Sequence, residues 1–265
     1  MLIRRVYGKT FAAERNVFKD LQLQTWAVSK YMKQGEELNN SGELFIRRNP
    51  KLKVKLVDGS SLAIAVVLNS IPRARGTTQV AFKGNFNKIA SYLALALCQK
   101  GIQVVISREK DYEMLKSKLT SANNDDKLVF SSVYSQKTWL VGEGLTKEEQ
   151  MKASKGTLII PYSQFPPTKV RKDCFYDTTP SMLTPKYLAN VDSCEPFDIV
   201  MQNVGVFNIQ NWLPRRVMSS WRIASILHGL EGWNVNECGN EILDIDKVWD
   251  ASIRHGFSPT MKSFT

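Results

Sequence analysis

TTQVAFKGNFNKIASYLALALCQKGIQVVIS, residues 77–107, is the stretch whose reading decides the fold. Val80, Ala81 and Phe82 make a short apolar run, and Gly84-Asn85 is a tight-turn pair. Asn85 or Asn87 can cap a helix that runs to Gln99. Gly101 stands where a helix-terminating glycine belongs, and IQVVI is then a β-branched strand. Strand, turn, helix and strand in this order form a βαβ unit. A hairpin cannot join parallel strands, so the unit implies a parallel sheet.

The pattern repeats downstream. A charged helix is expected over residues 109–119, with strands at residues 128–130 and 138–141. Thr146 and Glu149 form a T-x-x-E capping box at the start of another helix, which Gly156 closes, and TLIIPY is a strand. Alternating strands and helices predict an α/β fold: a Rossmann-like, doubly wound, mostly parallel sheet with helices on both faces.

Upstream, Leu52, Val54 and Leu56 alternate with lysines and read as a half-buried strand. Asp58-Gly59 reads as a turn, and LAIAVVL (residues 62–68) as a second, fully buried strand. Residues 1–45 read as an irregular N-terminal segment and residues 46–265 as the α/β domain. Prolines and turns make residues 165–210 a long connection. Two helices close the chain, one after Pro214 and one over residues 246–255.

The formal net charge of +11 favours anionic partners such as phospholipid headgroups, nucleotides or nucleic acid, against the plainer account of a basic, solvated surface. RRNPKLKVK (residues 47–55) could lie on an anionic membrane surface, but its alternation puts Lys51, Lys53 and Lys55 on the solvated face of a strand. No aromatic-interleaved basic motif points to nucleic acid. Cys98, Cys174, Cys194 and Cys238 are widely spaced and form neither a disulfide framework nor a zinc-finger spacing. The N-terminus has no apolar signal segment, and LAIAVVL is far short of a membrane span.

The KGNFNK turn is the candidate nucleotide or phosphate site. In a βαβ unit this turn faces a dinucleotide's pyrophosphate, and the helix N-terminus is electropositive. Lys83, Gly84, Asn85, Asn87 and Lys88 compose it, with Arg108, just past the second strand, suited to a 2′-phosphate. NAD(P) is the cofactor such a site would take. Only one glycine is present where the dinucleotide fingerprint has three, so a scaffold-only role competes with binding. GEG (residues 142–144) is a lesser phosphate candidate, since Glu143 would repel an anion.

NWLPRRVMSSWRIASILHGLEGWNVNECG, residues 211–239, crowds His228, Glu231, Glu237 and Cys238 together. Pro214 suits a first helical turn and Gly232 a helix end. Helical spacing puts Val217, Trp221, Ala224 and His228 on one narrow face, with Arg215 and Arg222 opposite. His228 thus extends an apolar stripe and reads as a core residue. Metal ligation needs three or four convergent donors, and His255, Cys238 and the acids stand at no recognised spacing. No nucleophile signature such as G-x-S-x-G is present, so neither catalytic nor metal residues are assigned.

This last phrase, with residues 51–72, 83–101 and 138–167, closely resembles the C-terminal domain of the plant very-long-chain aldehyde decarbonylases, the eceriferum or glossy proteins of cuticular wax synthesis. The alkane-forming branch is nearer than its reductase-like partner, and the resemblance covers nearly all of the chain. It implies membership of an endoplasmic-reticulum system that turns very-long-chain aldehydes into alkanes, with a family paralogue and a cytochrome b5 as partners. It places a di-iron site in a His-rich N-terminal half and a Rossmann-like domain in the C-terminal half. With two histidines this chain cannot furnish the di-iron site, which implies a non-catalytic binding module on the cytosolic face of the reticulum. An NAD(P)-dependent reductase acting on fatty acyl or aldehyde substrates is the alternative. Two departures from the family pattern stand out: Tyr31 nearly abuts Gln34, where the family has a longer helical stretch, and residues 196–210 look like an inserted loop.

Overall fold

In the computed structural model, the described residues are 25–27, 42–51, 55–72, 79–120, 125–164, 166–167, 170–186, 213–214 and 216–260. They fall into two compact units, one of residues up to Leu62 with Ser181–Thr260, the other of Ala63–Pro180. The abutment at Tyr31 and the insertion at residues 196–210 lie outside the described residues.

The second unit is built on a six-stranded parallel sheet. Its strands are β3 (Gln79–Lys83), β4 (Gln103–Ile106), β5 (Leu128–Phe130), β6 (Thr138–Val141), β7 (Leu158–Pro161) and β8 (Phe175–Tyr176). They lie in the order β5-β4-β3-β6-β7-β8, and every neighbouring pair is parallel. The chain starts in the middle, runs to one edge, returns and runs to the other. Ala81, Val105, Trp139, Val141 and Ile159 are buried in one cluster with Ala153. Their neighbours in sequence, Val80, Phe82, Val104, Ile106, Leu140 and Ile160, are buried too. Successive strand residues face opposite ways, so both faces are covered, as a parallel sheet requires.

The covering helices are α3 (Lys88–Gln99), α4 (Glu109–Thr120) and α5 (Lys147–Met151). Right-handed crossovers place α3 and α4 on one face and α5 on the other, because the winding direction reverses between β5 and β6. In α3, Ile89, Leu93 and Leu97 recur four residues apart and are buried. Asn87 caps that helix, its side chain accepting from the Ala90 N–H at 3.1 Å. Gly101 ends the turn beyond it, at φ 76°, and donates to the Cys98 carbonyl at 2.9 Å. α5 carries the full capping box between Thr146 and Glu149. It ends at Met151, five residues before Gly156, so Gly156 turns the chain after the helix rather than closing it.

The first unit holds a parallel pair, β1 (Thr25–Ala27) with β2 (Lys55–Val57), and a three-stranded antiparallel sheet. The latter orders β10 (Val217–Ser219), β9 (Ser181–Leu183) and β11 (Ser258–Pro259). The helices α1 (Glu43–Arg48), α6 (Ser220–Leu230) and α7 (Ile245–Arg254) belong to it as well. The stretch read as irregular, residues 1–45, therefore contributes a strand, and Glu43 opens a helix.

Two further expectations are corrected. LAIAVVL is not a strand but most of an eleven-residue helix, α2 (Ser60–Ser70). An apolar run has no period of its own, and here the ends decide. The Asp58 carboxylate accepts from the Ser60 N–H at 2.9 Å and the Glu237 carboxylate from the Ser61 N–H at 2.7 Å. Two orphan donors of a first helical turn are thereby satisfied. The second correction concerns Pro214, which does not open α6. Val217–Ser219 first pair with β9, Arg216 adopts a left-handed φ of 66°, and the helix begins at Ser220. Val217 consequently belongs to a strand, while Trp221, Ala224 and His228 share the helix as expected. The long connection also contains β8 and β9, which carry no strong local pattern. Among the described residues no helix is long and apolar enough to cross a membrane, and Cys98 and Cys174 are free thiols.

Candidate functional site

In a doubly wound sheet, ligands bind beyond the carboxyl ends of the strands where the winding reverses. Here that point lies between β3, which ends at Lys83, and β6, which ends at Val141. The two loops that leave these strands press on each other. A Cβ on Gly84 would lie 2.7 Å from the Gly142 carbonyl oxygen, and one on Gly142 only 2.5 Å from both the Asn85 carbonyl and the Tyr162 hydroxyl. Both positions therefore need glycine to admit the opposite backbone.

Hydrogen bonds close the crevice. Asn85 N–H donates to the Glu143 carbonyl at 2.6 Å, and Gly142 N–H to the Lys83 carbonyl at 2.9 Å. The Tyr162 hydroxyl donates to the Asn85 carbonyl at 2.7 Å. Burial pushes the Tyr162 phenol up, so it stays a neutral donor. Asn87 is engaged with the helix cap. The loop N–H of Asn85 and the helix N–H of Ala90, donors that a pyrophosphate would seek here, are thus already taken by protein.

Arg108 turns back onto the same loop. Its guanidinium donates to the Gly84 carbonyl at 2.6 Å and pairs with Asp111 at 2.7 Å. Four of the sequence candidates, Lys83, Gly84, Asn85 and Arg108, come together around one cavity of about 80 Å³. A dinucleotide cleft runs to roughly 300–1,000 Å³, so this space suits only a small group. Asn87 and Lys88 lie outside its lining. Asp111, Gly144 and Glu149 also line it, residues that reading the βαβ unit alone missed, and Phe82, Phe86, Ile106 and Ser107 make up the rest. The glycines of GEG were the one local signal for this second loop.

Lys83 is the unusual member. It is 2 % exposed, and its Nζ has no hydrogen-bond partner among the described residues. It lies 4.0 Å from the centroid of the Tyr134 ring and 5.6 Å from that of Trp139. Lys152 approaches the same Tyr134 ring at 4.9 Å. Burial lowers the Lys83 pKa from its ordinary value; the Glu149 charge works against that shift and the Lys152 charge with it.

A second constellation, in the other unit, answers the question raised by His228. Its Nε2 lies 3.2 Å from Glu237 Oε2, with both side chains 1 % exposed. The other Glu237 oxygen holds the Ser61 N–H, and Trp233 packs edge-on against the imidazole at 5.1 Å. Each carboxylate oxygen has a structural partner, so the pair ties α6, the segment after it and the start of α2 together. Among the described residues no group of three or more His, Cys, Asp or Glu is placed to hold a metal ion.

Comparison with known proteins locates the chain. The family described as CER1-like, C-terminal domain, matches residues 80–259. Very-long-chain aldehyde decarbonylase GL1-5 of Oryza sativa subsp. japonica is 45 % identical over 296 residues, covering 98 % of this chain and 45 % of the relative. Very-long-chain aldehyde decarbonylase CER1 of Arabidopsis thaliana is 43 % identical over 301 residues, again 98 % of this chain and 45 % of the relative. Protein CER1-like 1 of the same plant is 49 % identical over 233 residues, 86 % of this chain and 34 % of its own length. The chain thus spans less than half the length of these relatives.

Proposed function

The chain belongs to the CER1-like family, which it matches through the C-terminal domain, and from that premise we propose that it is a non-catalytic binding and docking module of very-long-chain aldehyde decarbonylation, the step that forms cuticular wax alkanes. The single observation that supports a docking role over cofactor chemistry is the filled crevice at the winding reversal. Gly84 and Gly142 bring two loops into backbone contact there, and Tyr162 bolts them together. A rigid, closed α/β face is a scaffold for protein contacts. In this reading its partners are a family paralogue and a cytochrome b5, met at the cytosolic face of the endoplasmic reticulum.

The relatives' names supply the aldehyde, and the histidine count supplies the restriction. Two histidines do not make the ligand set of a His-rich di-iron centre. Expressed by itself in a host that supplies very-long-chain aldehydes, the chain is expected to yield no alkane. Alkane formation there would overturn the docking assignment.

The gathering of Lys83, Gly84, Asn85 and Arg108 beyond β3 favours one alternative, an NAD(P)-dependent reductase acting on fatty acyl or aldehyde substrates. Calorimetric titration with NADPH separates the two. The closed loops predict no binding heat at millimolar nucleotide, whereas saturable heat that Lys88→Ala weakens would favour the reductase.

A further inference from the structure

We propose that the amino end of the parallel sheet is a lipid-facing surface, which lays a row of lysines and two apolar side chains against the anionic headgroups of a bilayer. The proposal stands on the geometry of the second unit alone. It goes beyond the docking reading, which names protein partners.

Topology gathers the charges. Every neighbouring pair in the sheet is parallel, so all its strands begin at one end. Lys100, Lys127, Lys137, Lys155 and Lys172 stand within three residues of the starts of β4, β5, β6, β7 and β8 respectively. They are scattered in sequence, and only the parallel arrangement brings them to one end. Lys137 Nζ donates to the Lys155 carbonyl at 2.9 Å, and the Gly156 N–H to the Asp173 carbonyl at 2.7 Å, so the turns before β6, β7 and β8 adjoin. Strands about 4.8 Å apart spread the row over about 24 Å. Lys100, Lys137, Lys155 and Lys172 are exposed. Asp126 is paired with Lys127 at 2.7 Å and Asp173 with Arg171 at 2.6 Å, so these two acids leave the exposed lysines uncancelled. Gly101 and Gly156 directly follow two of the lysines, and a Cβ on either would meet nothing within 4 Å, so these Lys-Gly turns project into open space.

Apolar groups share that end. The helix of a βαβ unit runs back along the strands, so α5 ends toward the start of β7. Its last residue, Met151, is 59 % exposed. The Arg171 guanidinium donates to the carbonyls of Gln150 and Ala153 at 2.8 Å and of Met151 at 3.2 Å. That clamp fixes the chain beside Val170, 68 % exposed, to the same helix end. Apolar side chains set among lysines suit an interface where the first enter the headgroup boundary and the second meet its anions. Other polyanions fit less well. Protein interfaces favour arginine and aromatic residues and deplete lysine, and Arg171 is already held by Asp173 and three carbonyls. Nucleic-acid phosphates would engage the lysines and leave Met151 and Val170 without a partner. A lysine ammonium is a point charge on a flexible stem, which follows a fluid headgroup layer without a fixed geometry.

The test is a lysine footprint of the purified chain. Brief acetylation is mapped by mass spectrometry with and without vesicles of equal parts phosphatidylserine and phosphatidylcholine, at low ionic strength. The vesicles should slow acetylation of Lys100, Lys155 and Lys172 several-fold. Lys110 and Lys147, exposed at the starts of helices at the opposite end, should react as before. Met151→Ser combined with Val170→Ser should weaken that protection several-fold while leaving any protection by polyglutamate unchanged. Protection confined to Lys51, Lys110 or Lys147, or none at all, would overturn the proposal, as would a footprint that the double variant does not alter. Equal protection by polyglutamate or duplex DNA at the same charge would assign the surface to a protein or a nucleic acid and overturn the lipid assignment. Because the wild-type footprint locates the contact, a poorly folding variant does not blunt the test. Neither result touches the docking reading, which alkane formation tests.

Discussion

At the scale of single residues, Lys83 shows how position within a strand outweighs residue type. A lysine beside a turn reads as a charge offered to a ligand. Strand alternation instead puts it on the same face as Ala81, into the cluster with Trp139 and Val141. Its sign in stability follows. Burial lowers the folded pKa from the ordinary 10.5, so between those two values the unfolded chain binds more protons. Stability therefore rises with pH across that window. Lys83→Met keeps the bulk and removes the ammonium. The variant should be more stable than wild type below the folded pKa, with the advantage shrinking as pH climbs toward 10.5. Urea midpoints measured from pH 7 upward check this, and a constant difference across the range would contradict it.

At the scale of elements, legibility followed the range of the deciding interaction. α3 was readable because Asn87, Gly101 and the four-residue spacing of Ile89, Leu93 and Leu97 all lie within it. The T-x-x-E box before α5 was readable for the same reason. α2 was not, because one of the two carboxylates at its first turn belongs to Glu237, far along the chain. The strand Val217–Ser219 was missed likewise, since its partner Ser181–Leu183 has no local signature. The candidate site was half legible: the βαβ turn announced itself, but the loop that fills it comes from after β6. Glu237 offers the test at this scale. Glu237→Ala removes the acceptor for the Ser61 N–H and leaves His228 without its carboxylate. Two buried hydrogen bonds to a charged group at about 1.5–3 kcal/mol each put the loss at about 3–6 kcal/mol. Chemical denaturation should report that loss, with Glu237→Gln restoring part of it by keeping one carbonyl acceptor. A loss under about 1 kcal/mol would mean the pair does not hold α2 to α6.

For the whole molecule, charge is the property that reaches furthest. A formal excess of +11 acts over distances that no single contact does. Lysines and arginines near an anionic leaflet contribute about 1 kcal/mol each, and the attraction decays within a Debye length of about 8 Å at physiological salt. Under the docking reading proposed above, at the cytosolic face of the reticulum, anionic headgroups are the partner this excess would meet. Exposed Arg47, Arg48 and Lys51 are among the charges available for that contact. The consequence is measurable with the purified chain and sedimented vesicles. Phosphatidylserine-containing vesicles should retain it at low ionic strength and release it progressively as salt rises through 0.15 M, where screening shortens the reach of each charge. Phosphatidylcholine vesicles should retain little at any salt. Equal retention on both would contradict a charge-driven contact with anionic headgroups.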